Sequence, residues 1–350
     1  YFIFMTATQP LIVDSIKSLA PDNTKYFTAL NRFNFEKNFD DIEINDFINI
    51  IKKDLANNPK KDFLIVLNTI KSSVKVYEAL AEDFEGQSKL YYLSTNIIPK
   101  LRSCLIKSIR NISIKRKIIV STQVVEAGVD LDADVVYRDF APLDSLNQVA
   151  GRCNRNFSEN KSRGEVKIFN IFSEENEKRY FPKSIYDKFL LAKTQEVFSN
   201  IDSQLEEKDL YSLTNSYFLK VNEGKSDNDS RKILESVSSL KFSELSEFKL
   251  IEHDYPTIDI FVEISKFAHK TWTAYQQIKS DKNLSGFQKR NEFLKIRKQF
   301  NDYIISVPKS YAAGFEEGII NHVQKDELPI YYDLETGFKR DNAGKGTISI

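Results

Sequence analysis

Lys117-Ile-Ile-Val-Ser-Thr-Gln-Val-Val-Glu-Ala-Gly-Val-Asp-Leu-Asp-Ala-Asp-Val-Val-Tyr137 holds two short apolar runs separated by a polar turn. Neither run alternates, so each reads as a strand covered on both faces, the pattern of a parallel sheet. Working outward, further strand-like runs fall at 62–67, 89–93 and 165–171, with another at 1–5. Between them, 44–55, 74–84 and 101–112 place apolar residues at helical spacing. Strands alternating with helices at this interval predict a doubly wound α/β layer up to about residue 175. Beyond it the alternation stops. Helices are expected at 186–205, 229–248, 261–279 and 284–305, and the last fifty residues, with Pro308, Pro329 and Gly337, suggest short strands and turns.

Composition narrows the class. The chain has 350 residues, 41 % of them hydrophobic, enough to bury a large core. Fifty Lys and Arg balance fifty Asp and Glu, which excludes a polybasic protein but leaves room for local basic grooves. Two cysteines and three histidines support neither a disulfide framework nor a structural zinc site, so no metal ligands are assigned. No apolar run approaches the roughly 20 residues of a membrane span, and no basic leader precedes Tyr1; a cytoplasmic protein without membrane contact is expected. The abrupt strand-like start without Met reads as a piece of a longer polypeptide.

Chemistry concentrates in two blocks. In Gln148-Val-Ala-Gly-Arg152-Cys-Asn-Arg155, a helix starting near Asp144 would place Gln148, Arg152 and Arg155 on one face. Two guanidinium forks one turn apart suit phosphate oxygens and the charge that develops in phosphoryl transfer. Gly151 inside a helix would cost about 1 kcal/mol against Ala, which suggests close approach of backbone or ligand. Upstream, Ser121-Thr122 closes an apolar strand at its carboxyl end, where open α/β sheets bind ligands. Thr122 could donate to a backbone phosphate, Gly128 could admit a nucleotide, and Asp130 could accept from a ribose hydroxyl or orient an arginine. Taken alone, each block could equally be a solvated helix face or an ordinary turn.

Together the two blocks resemble motifs V and VI of superfamily 2 helicases. The intervening Val136-Tyr-Arg-Asp-Phe-Ala-Pro-Leu-Asp-Ser145 is similar to the CRISPR-associated helicase-nuclease of type I systems, in its C-terminal portion. The resemblance covers about 170 residues well and continues weakly in Asp254-Tyr-Pro-Thr-Ile-Asp-Ile-Phe-Val-Glu263 and Tyr331-Tyr-Asp-Leu-Glu-Thr-Gly-Phe338. It implies the end of a first RecA-like lobe at 1–20, a second lobe at 21–175, and linker helices with an accessory C-terminal domain at 176–350. It also implies ATP with Mg2+ as cofactors, single-stranded DNA as substrate and the Cascade surveillance complex as partner. Thr6 and Thr8 fall in the motif III position that couples hydrolysis to strand movement. Asn68 and Thr69 match motif IV and Ser94 motif IVa, both facing a DNA phosphate with Thr122. At motif IVa the sequence departs from the family, with Asn96-Ile-Ile-Pro99 where an arginine-containing turn is expected. No Gly-x-x-x-x-Gly-Lys-Ser/Thr loop is present. The phosphate cradle, most metal ligands and the nuclease would therefore lie on an upstream lobe or a partner subunit, and the isolated chain is expected to lack ATPase activity. Another superfamily 2 RNA or DNA helicase, or a non-catalytic nucleic-acid-binding module, are the competing readings.

Two basic stretches fall outside these motifs. One is the helix at 100–110. The other, Lys289-Arg290 to Arg297-Lys298, interleaves Phe287, Phe293 and Phe300, which at helical spacing are expected in a core. Trp272 and Tyr275 are likewise expected to pack.

Overall fold

The computed structural model describes residues 31–340 apart from short stretches at 85–87, 112–115, 127, 158–161, 174–178, 200, 202–203, 225, 227 and 249–255, together with a few positions before residue 31. The motif III positions Thr6 and Thr8, and the run at 1–5, lie outside the described residues.

The alternation becomes a sheet in the order β3-β4-β2-β5-β6-β1-β8. Its strands are β1 (Phe33–Glu43), β2 (Phe63–Val66), β3 (Lys89–Leu93), β4 (Lys117–Ser121), β5 (Val135–Asp139), β6 (Gly164–Ser173), β7 (Arg179–Tyr180) and β8 (Gln204–Glu206). The first six run parallel; β8 joins β1 and β7 joins β6 antiparallel. β2, the most central of the apolar strands, has all four residues buried. Helices cover both faces, as a parallel sheet requires. α1 (Ile44–Asn57) and α2 (Ile70–Phe84) pack on one face through Phe47, Ile51, Leu55 and Leu80. α3 (Pro99–Ile109) starts at a proline, which loses nothing there because first-turn amides have no intrahelical partner. α4 (Leu143–Ala150) lies on the opposite side with Leu146 and Val149 in the core.

Two features differ from the sequence expectation. β1 carries Glu36, Lys37, Asp40 and Asp41, so it does not read as a buried strand. Yet it pairs in parallel with β6 and bulges between Asn38 and Asp41, and near the sheet edge polar side chains escape to solvent. The first core also extends past residue 175. α5 (Lys188–Phe198) and α6 (Asp209–Gly224) contribute Leu191, Phe198, Leu213 and Tyr217 to it.

After α7 (Asn228–Ser238) and α8 (Phe242–Glu247), a second core begins. The stretch at 261–279, expected as one helix, divides into β9 (Thr257–Val262) and α9 (Lys266–Ser280), with Phe261 on the strand. β9 is flanked by antiparallel β10 (Ile304–Pro308) and parallel β11 (Asn321–Val323). α9 and α10 (Gly286–Asn301) pack as a hairpin, each opened by a serine cap, with a capping box at Ser285 and Gln288. Phe300 and Phe261 centre this core and Trp272 packs at its edge, as expected of the tryptophan.

A terminal hairpin, β12 (Tyr332–Asp333) with β13 (Gly337–Phe338), fastens this second unit to the sheet. The Asn96 amide nitrogen donates to the Thr336 and Phe338 carbonyls at 2.9 and 2.7 Å, while the Phe338 amide donates to the Asn96 carbonyl. Tyr332 accepts from the Ile98 amide. Gly337, at φ +88°, lies where a side chain would run into the Asn96 carbonyl, so close approach requires glycine. The departure at Asn96-Ile-Ile-Pro99 thus has a structural meaning: this turn is the seat of the C-terminal hairpin.

Candidate functional site

The loop after β4 and the turn after α4 meet on one face of the sheet. α4 ends at Ala150, so Gln148, Arg152 and Arg155 do not share a helical face, contrary to the expectation from spacing. Gly151 caps the helix at φ −62°, and a Cβ there would make only ordinary contacts; nothing about the position demands glycine. The chain turns instead through Asn154, held in the left-handed region at φ 47°, which asparagine tolerates better than most residues. Its side-chain nitrogen donates to the carbonyls of Arg32 and Ser162. Cys153 bridges to Ala133 just ahead of β5; its buried thiol is pushed well above the ordinary range by desolvation and then by Asp134, which makes it inert.

This turn brings the arginines to the loop. Arg152 is buried, and its Nε and Nη2 donate to the Val125 and Glu126 carbonyls at 3.0 and 2.6 Å. Burial depresses its pKa, the neighbouring Arg155 charge depresses it further, and Asp130 opposes both. The two guanidinium groups thus repel one another, and the Asp130 charge favours both. Arg155 is open to solvent and pairs with Asp130 at 2.7 Å, the carboxylate itself 62 % exposed. Its backbone amide donates to Asp132 at 2.8 Å, tying turn to loop. Gly128 sits at φ +72° with no atom within 4 Å of the place a side chain would take. That residue therefore leaves both a left-handed turn and open space beside the pair. Gln148 is half-buried on α4.

The strand-end residues behave differently. Asn68, Ser94 and Thr122 stand at the carboxyl ends of adjacent strands β2, β3 and β4, as expected, but all three are buried. The Asn68 side chain donates to the Phe140 carbonyl at 2.7 Å and accepts from Arg138 at 2.6 Å. Ser94 Oγ accepts from the Asn96 amide. Direct DNA contact by these two side chains, as the motif resemblance implied, would require the fold to open. Thr69 remains half-buried and caps α2, accepting from the Ser72 amide.

Arg138 was missed as a site residue. Its side chain is fully buried and donates to Asn68, Glu126, Ser145 and Tyr186 at 2.6 to 3.0 Å. Burial raises the Glu126 pKa against the pull of Arg138, and raises Asp139, wholly enclosed, to about 7. The signal was available: two adjacent charges, Arg138-Asp139, close an otherwise apolar buried strand, where charges persist only when paired. Among the described residues no group of three or more His, Cys, Asp or Glu could hold a metal ion, and no helix is long and apolar enough to cross a membrane.

Comparison with known proteins bears on the fold. Residues 59–158 match the family model of the CRISPR-associated nuclease/helicase Cas3, C-terminal. The Cas3 nuclease/helicase of Methanothermobacter thermautotrophicus is 27 % identical over 168 residues, covering 47 % of this chain and 19 % of the relative. That of Streptococcus thermophilus is 32 % identical over 139 residues, 37 % of this chain and 15 % of the relative. The chain thus spans about a fifth or less of the length of these relatives. Among solved structures, T. fusca Cas3-ATP superposes with a TM-score of 0.56 at 18 % identity, covering 83 % of this chain and 38 % of that one. The superposed stretch runs past the family match into the C-terminal unit. In sequence over the sheet and in fold over most of its length, the chain matches a C-terminal portion of a Cas3 helicase-nuclease.

Proposed function

We propose that this chain is the C-terminal part of an ATP-dependent single-stranded DNA translocase, working with an upstream RecA-like lobe and a nuclease that degrades invader DNA in the cytoplasm after recruitment by Cascade. One observation carries the reading: the Arg155 side chain is exposed and pairs with an exposed aspartate, while the neighbouring Arg152 is buried with two of its donors on loop carbonyls. An exposed ion pair contributes roughly 0–1 kcal/mol, so Arg155 can exchange Asp130 for a phosphate oxygen at little cost. Arg152, fixed by two carbonyls, holds the loop that carries Gly128 and Asp130 in register with the arginine turn. ATP, when bound with Mg2+ against the upstream lobe, supplies the free energy of phosphoryl transfer. Arg155 meets the charge that develops on the transferred group, Asp130 releases the guanidinium and becomes free to accept from a ribose hydroxyl, and Gly128 leaves the room beside them. A fused or separate nuclease is compatible with these roles, and the Mg2+ ligands are assigned to the upstream lobe.

At the carboxyl end of β2, half-buried Thr69 would contact a phosphodiester chain without reading its bases, whereas Thr122 is buried with its amide on the Leu93 carbonyl. In full-length protein, Arg155→Ala should retain single-stranded DNA binding and lose DNA-stimulated ATP hydrolysis by about a thousandfold, the scale of an arginine finger. Unchanged turnover in that variant would remove the assignment. Stimulation by RNA but not DNA would instead select a different superfamily 2 enzyme.

A further inference from the structure

The second basic stretch divides in a way its sequence does not show. Between 266 and 302, nine Lys and Arg stand against three carboxylates, in a chain whose charges balance as a whole. On α10, Phe293 and Phe300 face inward onto Trp272 and Tyr275, with Tyr275 to Phe300 ring centroids 4.6 Å apart and Tyr275 to Phe293 5.8 Å. The opposite face carries Phe287, Arg290, Leu294 and Arg297 at i, i+3, i+7 and i+10, followed by Lys298. Phe287 is 73 % exposed and Leu294 50 %. On the antiparallel α9, Phe267 (56 % exposed) and Lys270 are also open to solvent. Glu292, the one carboxylate within α10, is taken by Lys295. Arg290, Arg297, Lys298 and Lys270 have no carboxylate partner among the described residues.

We propose that this outward face of the α9–α10 hairpin is a sequence-independent contact for a single-stranded nucleic acid, with arginines on the phosphates and Phe287 as a stacking platform. A solvated surface helix usually interleaves both signs of charge and hides its aromatics. This one shows guanidinium groups without a carboxylate partner in the turns following an exposed ring on the same face, the combination that binds single strands without base readout. The face lies on a separate core from the arginine turn, so a strand held there would be gripped independently of the nucleotide state. The inference shares only its ligand class with the proposed motor.

The test uses full-length protein and a fluorescent oligothymidylate, with affinity measured from low to moderate salt. Joint replacement Arg290→Ala, Arg297→Ala and Lys298→Ala should reduce the slope of log affinity against log salt by about 2, three phosphates at roughly 0.7 each. Phe287→Ala should weaken binding about tenfold at unchanged slope, the loss of one stacked base. Restoring the charge through Arg290→Lys, Arg297→Lys should return most of the slope, and thermal melting of all variants should match the parent. Parental affinity and slope in the triple variant would overturn the proposal. So would loss of binding to a polyglutamate peptide with DNA binding intact, which would make the face a dock for an acidic polypeptide. Failure of the motor reads differently: DNA would not stimulate ATP hydrolysis, while the slope would still fall in the triple variant.

Discussion

Two arginine-centred clusters lie in the same sheet domain and have opposite characters. Around Arg138, four acceptors converge within 3.0 Å and the side chain is sealed from water. Around Arg155 there is one carboxylate, itself exposed, and open space at Gly128. A buried charge whose two terminal nitrogens are held by four acceptors is scaffold: it fixes β2, the loop after β4, β5 and α4 relative to each other. An exposed charge with spare donors is available for a ligand. Residue type alone does not separate the two, since both sit in stretches that resemble helicase motifs.

This contrast can be broken at several points. Arg138→Met should have the largest effect, about 3–5 kcal/mol of stability, because it leaves Glu126 buried without its cation. Urea unfolding would measure it, and a loss below 1 kcal/mol would show that the cluster is not scaffold. Asp139→Asn sharpens the same region by pH. Burial raises the Asp139 pKa from 3.8 to about 7, so the native state holds the proton longer than the unfolded chain. Stability should therefore fall as pH climbs from about 4 to 7, and the asparagine variant should flatten that part of the curve. An unaltered pH profile would contradict a burial that outweighs Arg138 and the backbone amides around this carboxylate.

At the open cluster the expected stability effects are small. Gly128→Ala should cost about 1 kcal/mol, the strain of a left-handed residue with a Cβ, since no neighbour obstructs it. A much larger loss in thermal melting would mean that the loop is packed rather than open. Arg155→Ala should stay within about 0.5 kcal/mol of the parent, so that its effect on ATP hydrolysis can be read without a folding defect. A cooperative unfolding shift beyond that would place Arg155 with Arg138 as scaffold.

Much of the fold was legible. The runs at 62–67, 89–93, 117–121, 134–137 and 165–171 each became a strand within a residue or two, because strands covered on both faces, such as β2, β4 and β5, have little solvent side and their sequences are largely apolar. The run at 165–171 instead alternates, with Glu165, Lys167 and Asn170 at partly exposed positions. β1 and β9 were not legible for the converse reason. Polar residues on β1 are satisfied next to the sheet edge, and the short link Glu263-Ile-Ser265 between β9 and its helix holds no Gly or Pro to mark the break. The site was partly legible. Arg152, Arg155, Gly128 and Asp130 do converge, but through a left-handed turn at Asn154 rather than along a helix, and spacing arguments assume one regular element. The inward turn of Asn68 and Ser94 depends on partners 70 residues or more away in one case and on a local turn in the other.

Local patterning by itself determined that this chain builds a parallel α/β layer and that its chemistry gathers near 121–155, because periodicity and residue type are properties of neighbours along the chain. Which arginine is buried and which is free, which aromatic of the 287–300 stretch is core and which is open, and the seating of the C-terminal hairpin on Asn96 were decided only by tertiary structure. Exposure and hydrogen-bond saturation are set by what arrives from distant segments, and short-range pattern carries no information about that.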